Sequence, residues 1–147
     1  WWDTIAARSR MENKAIGTNI TDRGYYSAPD IFLSGSSDAY LDSVAIHEFG
    51  HYLEDAVPAI KRLESQFYKR RTSGQTAEHM GKGYEADEMT IRDGFSHAYM
   101  GKDYNGRYYE LGSMGFQGVL ERGSYAGFDV GKDIEYLDFI IGLLAGV

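Results

Sequence analysis

The sequence predicts an α+β fold: a small, partly antiparallel sheet packed on one central helix, with several further helices around it. Three observations carry this. An unusually apolar helical stretch spans about residues 39–55 and directly follows a short apolar run, Ile31-Phe32-Leu33. Helix-period segments recur after it, and turn dipeptides such as Asp93-Gly94 and Asn105-Gly106 break the region between them.

Taken in order, Thr4 to Lys14 is expected to be helical on a thin apolar pattern. Gly17 to Pro29, rich in Gly, Thr, Asn, Asp and Tyr, reads as loop or irregular strand. Ile31-Phe32-Leu33, set between Pro29 and a Ser/Gly run, reads as an edge strand. Ser37 or Asp38 is placed to cap the central helix. In that helix Leu41, Val44 and Ala45 share a broad face with His47, Glu48 and His51, and Ile46, Phe49 and Leu53 extend the apolar cover, so it should be buried.

Pro58 suits the first turn of a second helix reaching about Arg71, whose basic end Lys69-Arg70-Arg71 is expected to be solvated and favoured by the helix dipole. Thr72 to Lys82 is expected to be a surface loop. From Tyr84 to Tyr104, the runs Glu88 to Ile91 and His97 to Met100 predict a hairpin turning at Asp93-Gly94. Tyr108 to Glu121 predicts a helix despite three glycines. The last helix should span about Lys132 to Leu144, with Ile134, Leu137, Ile140, Ile141 and Leu144 on its buried face.

The 147 residues suit one domain, and its formal net charge of -7 argues against a nucleic-acid partner, which needs a basic stripe. No apolar run reaches membrane-spanning length; the terminal run from Phe139 to Val147 is too short. The abrupt start on Trp1-Trp2 and the apolar end are read as those of a domain within a longer polypeptide. With no cysteine, any metal must be held by nitrogen and oxygen.

His47-Glu48-Phe49-Gly50-His51 reads H-E-x-x-H and spends two of the four histidines. Residues four apart on a helix project one turn apart from the same face, so both imidazoles can reach one zinc at roughly 2.0–2.1 Å. Glu48 stands where it can take a proton from a water that zinc has acidified toward a pKa of roughly 7. A catalytic site wants a third protein ligand and an open position. Six residues past His51 stands Val57, and Glu54 holds the place of the metzincin glycine, which excludes that subclass. His79 lies in a polar loop, and His97 lies on the expected hairpin as a ligand or transition-state donor; for both, a surface histidine is the plainer reading. Glu110 is the better third ligand. It opens a mostly uncharged helix on which Ser113, Met114 and Gln117 share its face. The alternative is an acid serving the helix dipole. Gly112, Gly115 and Gly118 in that helix imply close backbone approach, with packing on the H-E-x-x-H helix as one reason.

H-E-x-x-H on one helix with a glutamate on a later one resembles the gluzincin arrangement of zinc metallopeptidases. The stretches Ile31 to Glu54 and Lys102 to Gly115 also resemble metallopeptidase domains of bacteriophage virion and head-associated proteins. The resemblance implies a zincin-like fold, zinc at His47, His51 and Glu110, Glu48 as general base, a peptide or protein substrate, and other domains of a virion protein as partners. Many gluzincins carry an aspartate soon after the ligand glutamate, where Ser113 and Met114 stand here. The group that orients a histidine ligand is therefore unassigned, and the oxyanion donor is open among Tyr104, Arg107, Tyr108 and Tyr109. Two rivals remain: a virion assembly module stapled by a structural zinc, and a hydrolase of peptidoglycan crosslinks.

Overall fold

A computed structural model describes residues 24–28, 30–33, 38–102, 104–121 and 129–146. The helix expected over 4–14 and the cap expected at Ser37 lie outside them. The described chain is α+β, with four α-helices and two small antiparallel strand pairs.

Strands β1 (Tyr25–Ser27) and β2 (Asp30–Phe32) form a tight hairpin with Tyr25 opposite Phe32, and these rings stack at 4.6 Å. The strand expected at 31–33 is thus one arm, and its partner comes from the stretch read as irregular. Both arms pack on helix α1 (Asp38–Ala56), which carries the H-E-x-x-H residues. Helix α2 (Pro58–Arg71) starts on Pro58, whose missing N–H would be unpaired there anyway. It buries Ile60, Glu64, Phe67 and Tyr68, a helical stripe with one acid in it. Helix α3 (Glu110–Leu120) lies against α1 more extensively than any other pair of elements, and α4 (Ile134–Ala145) backs α3 from behind.

The region between α2 and α3 departs from expectation. Met89–Thr90 is a strand, β4, but it pairs with β3 (Glu78–His79) upstream, inside the stretch expected to be loop. Asp93 (φ 35°) and Gly94 (φ 71°) do make a left-handed turn. The following segment then winds into a 3₁₀ turn, Ala98–Gly101, instead of a second arm. Its winding is set by local bonding and burial: His97 Nδ1 accepts the Tyr99 N–H, and Met100 is driven fully into the core. Only a single bridge, Thr90 to Lys102, remains of the expected ladder.

Two smaller corrections follow from packing. Lys69 and Arg70 are exposed as expected, but Arg71 turns inward between Phe67 and Phe95 to meet Asp93 and Asp133. In α4 the face that seals the core is Tyr136, Ile140 and Leu143, while Ile134 and Ile141 are 63% and 49% exposed. The aliphatic count misled here, because Tyr136 fills the core and its Oη donates to the Leu111 carbonyl. No helix of the described residues is long and apolar enough to cross a membrane.

Candidate metal centre

The site forms where α1 and the first turn of α3 touch. Gly50, inside the motif, makes that contact feasible: a Cβ there would overlap Ser113 Cα. The glycines of α3 serve other neighbours, with Gly112 against the Glu64 carboxyl and Gly115 against Ile140. The close approach expected at Gly112 and Gly115 is real, but it faces α2 and α4; Gly50 is the residue that admits α3 to α1. The turn Asn105-Gly106, both residues at positive φ, then delivers Tyr109 and Glu110 to the helix start.

One carboxylate oxygen receives both histidines. Glu110 Oε2 lies 3.2 Å from His47 Nε2 and 3.4 Å from His51 Nε2. Ligand atoms of the three residues fall within 4.8 Å of one another, so they form a group able to hold a metal ion. Bonds of roughly 2.0–2.2 Å at tetrahedral angles would separate ligands by about 3.3 Å. The donor set, two imidazoles and a carboxylate, suits zinc and neighbouring divalent ions of the first transition row. Glu110 is further fixed by Tyr104 Oη, which donates to Oε1 at 2.8 Å, and by Ser113 Oγ, 3.0 Å from Oε2. Behind His47, Nδ1 sits 3.3 Å from Gln117 Oε1, and the Gln117 amide donates to Ser43 Oγ at 2.6 Å.

Charge is unbalanced here. Glu48, Glu54, Glu64 and Glu110 are all buried, and among the described residues no lysine or arginine pairs with any of them. Burial pushes the Glu48 carboxyl above its ordinary range, although His47 and His51 pull it back. Burial also drives the Glu64 carboxyl well up, and nearby Glu54 drives it further. Burial opposes ionisation of Glu110, yet hydrogen bonds from His47 and His51 hold its carboxyl well below the usual range. Burial lowers His51, but Glu110 and Glu54 outweigh it and raise the imidazole well above its ordinary value. Protonation relieves the burial of Glu48 and Glu64, the two imidazoles relieve that of Glu110, and a bound cation would relieve the cluster further. The residues present therefore fit a divalent ion.

A cavity of about 230 Å³ opens onto the group, lined by Gly24, Tyr25, Tyr26, His47, Glu48, His51, Tyr99, Tyr104, Tyr108 and Glu110. Burial and Asp55 raise the Tyr26 phenol to about 12. Burial, then Glu110, keeps the Tyr104 phenol protonated far above its ordinary range. Of the four candidates for an oxyanion donor, Tyr104 and Tyr108 reach the cavity. Arg107 is exposed, and Tyr109 is buried, tilted against the Tyr68 ring.

The structure brings His47, Glu48, His51 and Glu110 together. It leaves out His79, exposed on β3, and His97, which is occupied as a turn cap. Glu54 was visible in the sequence only as a misfit to another motif, and Glu64 was not singled out. A signal for Glu64 existed: an acid in register with Ile60, Phe67 and Tyr68 on the apolar stripe of α2. Compared with family models, with curated proteins and with solved structures, the chain finds no match.

Proposed function

We propose that this chain is a zinc-dependent metallopeptidase domain of zincin-like, gluzincin type, with His47, His51 and Glu110 as ligands and Glu48 as general base. The observation that carries the reading is the convergence of two imidazoles on one buried carboxylate oxygen, in a pocket rich in acids and without a basic partner among the described residues. When bound, zinc would polarise a substrate carbonyl and acidify a water. Glu48, whose proton affinity burial has raised, takes the water's proton and passes it to the leaving amine. Of the phenols that precede Glu110, Tyr108 is the one available to stabilise the oxyanion, because Tyr104 gives its proton to Glu110 Oε1. Glu110 and His47 are held by Tyr104, Ser113 and Gln117, so the ligands are oriented before an ion arrives.

Three protein ligands facing a cavity favour a catalytic over a stapling zinc, which usually has four protein ligands and no opening. Peptide substrates and a place in a virion protein rest on the sequence resemblance alone. The test is Glu48→Gln. Zinc content should be unchanged while hydrolysis of a casein or cell-wall peptide panel falls at least about 100-fold. Equal hydrolysis by wild type and Glu48→Gln would sink the mechanism. Cleavage confined to cell-wall crosslinks would move the substrate class to peptidoglycan.

A further inference from the structure

His47 and His51 are backed differently. His47 Nδ1 meets a neutral amide, Gln117 Oε1. His51 Nδ1 is buried and, among the described residues, has no partner within hydrogen-bond distance. Glu54 Oε1 lies 3.6 Å from it, one helical turn along α1. Glu54 is itself only 2% exposed, and the same Oε1 accepts the Tyr109 N–H at 3.1 Å. Tyr109 is the N-cap residue of α3, immediately before Glu110. Three residues on, the Gly112 N–H donates to Glu64 Oε1 at 2.6 Å. Two carboxyls, from α1 and α2, thus bind the free amides of the turn that carries the third ligand.

We propose that Glu54 is the positioning residue of the metal centre: its Oε1 takes the Nδ1–H of His51, turns Nε2 toward the ion, and ties that orientation to the turn that presents Glu110. The contact needs to close by only a few tenths of an ångström to become a hydrogen bond of about 2.7–3.2 Å. A buried imidazole nitrogen left unpaired is costly, which favours closing it. A carboxylate on the far nitrogen also fixes the tautomer and makes the imidazole a better donor.

This inference rests on the zinc reading above, and its failure can be told from that reading's failure. The full chain is titrated with zinc against a chromophoric chelator near neutral pH, as wild type and as Glu54→Gln, with far-UV circular dichroism and melting of the metal-free proteins alongside. Zinc affinity of folded Glu54→Gln should be about 10–100-fold weaker than wild type. Equal affinity overturns the positioning role and leaves the zinc reading standing, even if the metal-free variant melts earlier. A wild type that binds no zinc overturns both. Should Glu54→Gln not fold, the zinc-loaded wild type decides through long-range ¹H–¹⁵N correlation of its histidines. His51 protonated at Nδ1 and ligated through Nε2 supports the role, and ligation through Nδ1 overturns it.

Discussion

Arg71 sits in a part-buried cluster of charge and Glu110 in a buried one, and the two clusters are built on opposite terms. Arg71 Nε and Nη2 lie 2.6 and 2.8 Å from Asp93 and Asp133, with Phe67 and Phe95 against the guanidinium. Arg71 and the two aspartates are 13–14% exposed, and the more exposed Glu135 adds a third carboxylate 3.3 Å from Nη1. Around Glu110, four buried carboxyls face two imidazoles, and among the described residues His51 Nδ1, Glu54 Oε2 and Glu64 Oε2 have no partner at full hydrogen-bond distance. The first cluster is complete as folded and joins the end of α2 to the Asp93 turn and the start of α4. The second offers a divalent cation two imidazoles and a carboxylate within 4.8 Å of one another.

The largest effect that separates the clusters should come from breaking the satisfied one. Arg71→Met leaves Asp93 and Asp133 without their cation. It should cost about 1–3 kcal/mol in urea unfolding of the metal-free protein, less than a fully buried pair because water reaches this one. A cost below about 0.5 kcal/mol would show that the clamp is ornamental. Glu110→Gln, measured the same way, should cost under about 1 kcal/mol, since His51 can release its proton when its partner is lost. The same variant should lose the gain from zinc, which for wild type at 100 times Kd is about 2.7 kcal/mol. A metal-free Glu110→Gln as damaged as Arg71→Met would erase the distinction between the clusters.

The smallest effects are in pH, and their signs are opposite. Burial raises Asp133 but the hydrogen bonds from Arg71 win, so its folded carboxyl lies below the unfolded value of 3.8. Its contribution is therefore present above that value and is lost as pH falls through the folded pKa. Glu64 is displaced upward by burial and by Glu54, well above 4.5, so the folded state holds the proton longer than the unfolded one. Its cost is absent below 4.5 and grows as pH rises toward the folded pKa. In metal-free protein, Asp133→Asn should flatten the acid limb of the stability curve. Glu64→Gln should gain on wild type as pH climbs from acid toward neutral. Parallel shifts in the two variants would contradict the assignment of opposite roles.

Much of the second cluster was legible in the chain because it is periodic. His47 and His51 at i and i+4, and Glu110, Ser113 and Gln117 at three-and-four spacing, state their faces outright. What periodicity does not state is which neighbour a face meets. Gly112 and Gly115 announced close approach without saying that Glu64 and Ile140 were the partners. Glu54 and Glu64 act across α1, α2 and α3, so their pairing with Tyr109 and Gly112 exists only after the helices pack. The strand Met89–Thr90 was placed by its composition but matched to the wrong partner, because two-residue strands leave register to tertiary contacts such as the burial of Met100. In α4, Ile134 and Ile141 looked like core by their hydropathy, and Tyr136 took the place instead.

The central claim is that His47, His51 and Glu110 hold a metal ion. Plasma mass spectrometry tests it directly, on protein purified without chelator or polyhistidine tag and dialysed after zinc addition. The account predicts close to one zinc per wild-type chain, and none in Glu110→Ala or His47→Ala while both keep their far-UV spectrum. Wild type without metal, or an unchanged zinc content in Glu110→Ala, would contradict it.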